Sequence, residues 1–291
     1  MVQFSKAAII ARPNSEHLTE QVYQLAELLQ SLGIKPFIDQ SYTQNVIKSD
    51  FVHCDIEEYL PQIDLAIIIG GDGTLLSAGR KLVAHEIPLI GINQGKLGFM
   101  TDVSANDMIC VLTEMLTEDK IIEDERYLIS AQIIRDNQVV YQSLALNDVV
   151  ISRGAMGTMI EFDITIDNEF VCLQKADGLI FATPSGSTAY SLAAGGPIVH
   201  PLAKVISVIP ICPQSMSNRP IVVHDDVVIR VQMLTGAESV IHCDGQEYCE
   251  LHPNDIIQIS KSERPLRLLH PAHYSYYRTL RNKLHWAKRV S

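Results

Sequence analysis

Apolar positions recur along this chain with two periods, and the change from one to the other divides it. In the first 120 residues, short β-branched runs alternate with helical stripes. Ala7–Ala11 reads as a buried strand. After Pro13-Asn14-Ser15, the residues Leu18, Val22, Leu25, Leu29 and Leu32 share one helical face, and Gly33 stands where a helix C-terminus takes its left-handed residue. Lys35–Asp39 predicts a second strand, and the polar stretch 40–60 a flexible loop with a short helix. A strand at 64–69, a helix to about Ala84 and a strand at Pro88–Ile92 follow. Ser104 and Asp107, spaced as in a capping box, introduce one more helix with Met108, Val111, Leu112 and Met115 on its buried side. Strands alternating with helices predict a parallel sheet covered by helices.

Past Ile121 the period shortens to two. Tyr127–Ile134, Val139–Leu144, Val149–Ser152, Ile160–Ile166, Phe170–Leu173 and Leu179–Ala182 read as short strands, with Asp136-Asn137 and Asp167-Asn168 as hairpin turns. Ile221–Leu234, Glu238–Cys243 and Asp255–Ile259 continue the series, interrupted by a short helical segment near Thr188–Ala194. The residues from His273 onward read as a helix carrying Arg278, Arg281, Lys283, Lys288 and Arg289 on a solvated face. The expected organisation is an α/β domain over residues 1–120, completed by the C-terminal helix 272–291, and a mostly β domain over 121–271.

Composition narrows the partners. The chain has 291 residues, a net charge of −11 and 20% charged residues. An acidic balance argues against nucleic acid, which asks for a basic face. No apolar run approaches a membrane span, and Lys6 and Arg12 interrupt the N-terminal apolar stretch that a secretory signal would need. The six cysteines form no CxxC, so reduced thiols are expected and a zinc site is not. A cytoplasmic protein fits these features.

The candidate chemistry starts where the run 66–69 meets Gly70-Gly71-Asp72-Gly73-Thr74. Strand, glycine turn and helix start together make a phosphate site, because the backbone approaches closely and helix N–H groups point outward. A carboxylate would repel phosphate, so Asp72 has another task. It can orient a hydroxyl, accept its proton or hold a metal; the alternative is a helix N-cap. Neither a P-loop nor a dinucleotide fingerprint fits: the stretch from Gly91 to Leu97 is one residue short, and Leu76 replaces a third glycine. A second cluster, Thr183-Pro184-Ser185-Gly186-Ser187-Thr188-Ala189-Tyr190, offers small hydroxyl residues and a ring able to stack on a base. Asn147-Asp148 and Asp177-Gly178 pair an amide and carboxylates suited to a base edge or a ribose diol, although both are also turn sequences. Asp244-Gly245 reads as a hairpin turn, with Gln246 beside it as a binder.

Taken together with Leu97-Gly98-Phe99 and the ending from His270-Pro271 through Tyr274-Ser275-Tyr276, these stretches resemble the NAD kinase family, most closely the enzymes of Gram-negative bacteria. The resemblance implies a phosphofructokinase-like first domain. It also implies transfer of the γ-phosphoryl group of ATP to the 2′-hydroxyl of the adenosine ribose of NAD, giving NADP. Asp72 matches the catalytic aspartate and Gly73 lies against the same ligand. Phe99 matches a residue near the adenine, and Asn147 with Asp148 the pair on the adenosine diol. Asp177, Thr188, Ala189 and Tyr190 match positions around the nicotinamide half or the adenine of a neighbouring site. Lys175 and Gln246 match a basic and an amide position. Ser185, Ser191, Leu192 and Ala193 complete the NAD-binding set on the same stretch. Three departures stand out: Asp148 where relatives often have Glu, Ala193 where many have Ser, and Thr158, near the diphosphate, where a basic or imidazole group is common. The resemblance also implies Mg²⁺, a divalent metal brought with ATP and not held by protein ligands, and a homotetramer or homodimer. Two rival readings are a diacylglycerol-type lipid kinase with a similar glycine turn and a dinucleotide sensor without catalysis. The acidic balance and the missing basic amphipathic stretch weigh against the first, and the second leaves Asp72 without purpose.

Overall fold

The computed structural model describes residues 4–12, 15, 18–41, 51–95, 98–118, 120–154, 158–235 and 238–286. Pro13, Asn14, Lys96, Leu97, Lys288, Arg289 and the middle of the expected 40–60 loop lie outside the described residues. The chain divides into two compact units, Met1–Glu125 with Leu266–Ser291, and Arg126–Pro265.

The first unit runs β1 (Lys6–Ala11), α1 (Thr19–Ser31), β2 (Lys35–Asp39), β3 (Val52–Cys54), α2 (Ile56–Tyr59), β4 (Leu65–Ile69), α3 (Asp72–Leu82), β5 (Leu89–Asn93), β6 (Val103–Ser104) and α4 (Met108–Glu118). Its sheet has the order β3-β2-β1-β4-β5, all parallel. Every residue of β4 and β5 is buried, as expected for parallel strands covered on both faces. Ile9, Ile67, Ile69 and Ile92 join Val22, Leu25 and Leu29 of α1 and Leu112 and Met115 of α4 in one core. Leu75 of α3 lies over Gly91 of β5, where a Cβ would sit 2.9 Å from Leu75 Cδ1. The strand order reverses between β1 and β4, so the residues leaving β4 stand at the switch point where such sheets bind ligands.

Three local expectations change. Val52–Cys54, expected within a loop, pairs in parallel with Phe37–Asp39 as an edge strand, too short to leave a periodic signal. The helix after the glycine turn starts at Asp72, ahead of Thr74, with Gly71 as its N-cap. The capping-box spacing also fails to close: Ser104 ends β6 and its hydroxyl accepts from Asn106 N–H, two residues before α4 begins.

β7 (Ile121–Arg135) carries the chain into the second unit, which continues with β8 (Gln138–Ala145), β9 (Asp148–Ser152), β10 (Ile160–Ile166), β11 (Glu169–Ala176), β12 (Gly178–Ala182), α5 (Tyr190–Ala193), β13 (Val205–Ile211), β14 (Ile221–His224), β15 (Ile229–Met233), β16 (Val240–Cys243) and β17 (Glu247–Glu250). β18 (Ile256–Pro271) returns to the first unit, where Leu268 pairs with Leu89, and α6 (Tyr276–Leu284) follows. Six strands form an antiparallel sheet, β14-β13-β12-β9-β16-β17. Its inner face, with Val149, Ile151, Leu179 and Phe181, packs into a core shared with Phe162, Ile164, Val231 and Ile257 of the neighbouring strands β10, β15 and β18.

Asp136-Asn137 and Asp167-Asn168 each hold two positive φ angles in succession, as the expected hairpin turns require. The run Ile221–Leu234 is not one strand. It divides at Asp225-Asp226 into β14 and β15, which pair in different sheets, and Lys261 pairs with both carboxylates at the turn. β13 and β17 are strands beyond the expected set: Pro210 demotes the β-branched run Val205–Ile209 of the first, and the second is Glu-Tyr-Cys-Glu.

Gly33 has φ +80 and open space around it. Gly33→Ala is therefore expected to destabilise through backbone conformation alone, by about 1 kcal/mol, lowering the thermal midpoint by about 2–4 °C in calorimetry. An unchanged midpoint would show that α1 ends without needing this left-handed residue.

Candidate active site

At the end of β4, Gly70 N–H bonds to Ile92 C=O at 2.9 Å, and Gly71 caps α3 with extended backbone. Asp72 is the first helical residue, where a negative charge meets the positive end of the helix. It does not cap its own helix. Its Oδ1 accepts from Met100 N–H (3.2 Å), Thr101 N–H (3.1 Å) and the Thr101 hydroxyl (3.0 Å), and its Oδ2 from Phe99 N–H (2.9 Å). Gly98 makes this cradle possible, since a Cβ there would sit 2.2 Å from both Asp72 Oδ1 and Thr101 Oγ1. Thr101 is fully buried, and its hydroxyl also accepts from Asn93 Nδ2 at 3.1 Å. Three donors saturate Oδ1, whereas Oδ2 keeps a lone pair for one more. Gly73 is exposed on the first turn of α3, and the Phe99 ring lies 5.9 Å from Lys283 Nζ.

In the second unit a cleft of about 520 Å³ opens over β9, β16 and α5. It brings together Asn147, Asp148, Ala189 and Tyr190 with His242, Asp244 and Gly245. The organiser is Asp244. It occupies the positive-φ hairpin turn with Gly245, as its sequence predicts, and its carboxylate also accepts from Leu146 N–H (3.0 Å), Asn147 N–H (2.7 Å) and Asp148 N–H (3.2 Å). From the other side Thr183 donates its hydroxyl to Leu146 C=O at 2.5 Å and its N–H to Asn147 C=O at 2.9 Å. Gly186 fits against the same carbonyl, where a Cβ would come within 2.0 Å. Asn147 is thereby fixed, and its side-chain oxygen is buried with no hydrogen-bond partner among the described residues.

The remaining candidates do not line this cleft. Ser185 lies 3.4 Å from Arg126 Nη1, and the Thr188 hydroxyl turns back to Ser185 C=O. Ser191 is fully buried under Gly196, Leu192 half-buried and Ala193 exposed. Asp177 pairs with Arg153 at 3.0 Å. Lys175, Thr158 and Gln246 are exposed.

Known proteins place this chain. The family model for the ATP-NAD kinase N-terminal domain matches residues 7–121, and that for the ATP-NAD kinase C-terminal domain residues 146–271. The NAD kinase of Laribacter hongkongensis is 42% identical over 99% of this chain and 98% of its own length. That of Chromobacterium violaceum is 44% identical with the same coverage. The chain belongs to the ATP-NAD kinase family. The fold agrees: yeast NADH kinase complexed with NADH superposes with a TM-score of 0.87 at 23% identity, covering 99% of this chain and 90% of that one. An NAD kinase from Archaeoglobus fulgidus in complex with ATP gives 0.75 at 25% identity, covering 96% and 98%. These relatives are NAD and NADH kinases, and nothing among them favours a lipid kinase. Among the described residues no helix is long and apolar enough to cross a membrane.

Within this family member, Asp148 stands out electrostatically. It is 6% exposed, and burial first, then the facing Asp244 charge, push its pKa from 3.8 up to about 7 against the opposing pull of Tyr190 N–H. Below 3.8 the folded and unfolded chains both hold this proton. Between the two values only the folded chain does, so stability falls as pH climbs from about 4 to 7. The full shift corresponds to roughly 4 kcal/mol. Asp148→Asn cannot ionise yet can still accept from Tyr190 N–H. It is expected to melt higher than wild type at pH 8 and to flatten the pH dependence of the midpoint over that window. Parallel melting curves against pH for the two proteins would remove Asp148 as the source.

Proposed function

We propose that this protein transfers the γ-phosphoryl group of ATP to the 2′-hydroxyl of the adenosine ribose of NAD, producing NADP, with Asp72 as the group that meets the hydroxyl. One observation carries the reading: Asp72 is held rigidly at a sheet switch point with Oδ2 alone left able to take a further donor. Phosphoryl transfer asks mainly for positioning and charge neutralisation, and a carboxylate fixed by three backbone N–H groups supplies the first without reorganising. Its role is to accept the hydroxyl proton as a hydrogen bond, aiming the oxygen and withdrawing that proton as the new P–O bond forms and the bond from the γ-phosphorus to the β,γ-bridging oxygen breaks, releasing ADP.

In this reading the first unit is the nucleotide-binding domain and the second the NAD-binding domain. Asn147 and Asp148 hold a ribose diol. The unsatisfied Asn147 oxygen accepts one hydroxyl, and Asp148, near its midpoint at neutral pH, can accept from or donate to the other. Tyr190, 47% exposed, stacks on a ring, and Ala189 leaves room beside it. Gly73, Phe99, Thr158, Lys175, Asp177, Ser185, Thr188, Ser191, Leu192, Ala193 and Gln246 complete the proposed contact set. Of these, Ser191 has its hydroxyl enclosed.

The divalent cation in this proposal is Mg²⁺, carried by ATP. Asp72 Oδ1 is already saturated, and the described residues that group three ligating side chains within reach of one ion are His224, Asp225 and Asp226, where Lys261 is bonded to both acids. Held by the triphosphate, that cation would neutralise phosphate charge when bound. A cytoplasmic homodimer or homotetramer is the proposed working form.

Asp72→Asn is expected to lower turnover at least roughly a hundredfold with NAD affinity little changed, measured as NADP formation with ATP and Mg²⁺ beside calorimetric binding of NAD. Near-normal turnover would take Asp72 out of the reaction.

A further inference from the structure

Behind the Asp72 cradle lies a buried group that the chemistry above leaves unused. His270, near the end of β18, is 1% exposed. Its Nδ1 is 3.1 Å from Asp102 Oδ2 and its Nε2 is 3.5 Å from Asp124 Oδ2, with both carboxyl side chains largely buried. The ring stacks on Tyr274 at 4.0 Å with 10° between planes. The titratable groups facing it are therefore Asp102 from the loop after Thr101, Asp124 from β7 and Tyr274 from the turn before α6. An imidazolium can donate to both acids, whereas neutral imidazole can donate to one. Burial alone would favour the neutral form, but hydrogen bonds and attraction from Asp102 and Asp124 outweigh it and hold the pKa above its usual value. Asp102 directly follows Thr101, which gives Asp72 two of its four hydrogen bonds.

We infer that His270 is a positioning residue for the phosphoryl transfer: by gripping Asp102 it fixes Thr101, and through Thr101 the direction in which Asp72 Oδ2 points. The inference rests on the proposed role of Asp72. When the imidazolium loses its proton, the ring keeps one N–H and loses the charge that draws both acids, so its hold on Asp102, 3.1 Å from Nδ1, weakens and Asp72 is held less precisely through Thr101. The charged form is present at low pH and is lost as pH rises through the raised pKa, so the defect belongs on the alkaline side.

The test is NADP formation by the full chain with ATP, Mg²⁺ and NAD between pH 6 and 10. Wild type is expected to lose kcat on the alkaline side. His270→Gln is expected to have kcat at least about tenfold lower at pH 7 and no such alkaline limb. Its KM values for NAD and ATP should stay within about twofold of wild type. In an Asp72→Asn background the same change should make no further difference, because its route runs through Asp72. Native kcat and pH profile in His270→Gln, or an equal fold-loss in both backgrounds, overturns the inference. Should that variant fail to fold, Asp102→Asn is measured in the same way, and native kcat there overturns it equally. A wild-type protein that makes no NADP would instead overturn the function itself, and this inference with it.

Discussion

The first unit depends on a carboxylate that folds a loop around itself. Asp72 starts a helix, yet its oxygens bond to the backbone of residues 99–101 and not to its own first turn. Without those N–H groups the side chain would be one exposed rotamer among several; without the side chain, three loop donors would need other partners. Each makes the other definite. The glycine at 98 and the hydroxyl at 101 are consequences of that requirement, the first by leaving space and the second by adding a donor.

The second unit uses the same device with the roles exchanged. Asp244 also takes three consecutive backbone N–H groups, from residues 146–148, but here the gathered loop carries the groups facing the cleft and the carboxylate is the scaffold. The arrangement has an electrostatic consequence. Placing Asp244 beneath Asp148 puts two acids together in a partly dry place, and Asp148 yields by keeping its proton near neutrality. Organisation of the loop and perturbation of its acid have one cause.

Much of this was legible where the relevant physics is local. The stripe from Leu18 to Leu29 marks α1, Gly33 marks its end, and Asp136-Asn137 marks a turn, because each needs only neighbours in sequence. The unbroken burial of β4 follows from its apolar run. Legibility failed where distant partners decide. The apolar residues around Asp225-Asp226 look continuous, and the partners at the break, Lys204 and Lys261, lie far along the chain from it. Pro210 hides β13, although it pairs opposite Leu179 in mid-sheet. Asp72 was recognisable as chemically odd, but its partners lie 27 to 29 residues onward. A hairpin turn accounts for Asp244 completely in the sequence, while its bonds reach back nearly a hundred residues. His270 carried no signal beyond its place in a familiar ending.

The route of the chain has a consequence for how the protein comes into being. Its first unit is interrupted after Glu125 and resumes only at Leu266. Leu268 then pairs with Leu89, and His270 reaches the acids that await it. A nascent polypeptide leaving the ribosome therefore cannot finish the half it began first until Leu266 and the residues after it have been made. A product that stopped before Leu266 would lack the strand end that pairs with Leu89 and the imidazole that joins Asp102 to Asp124.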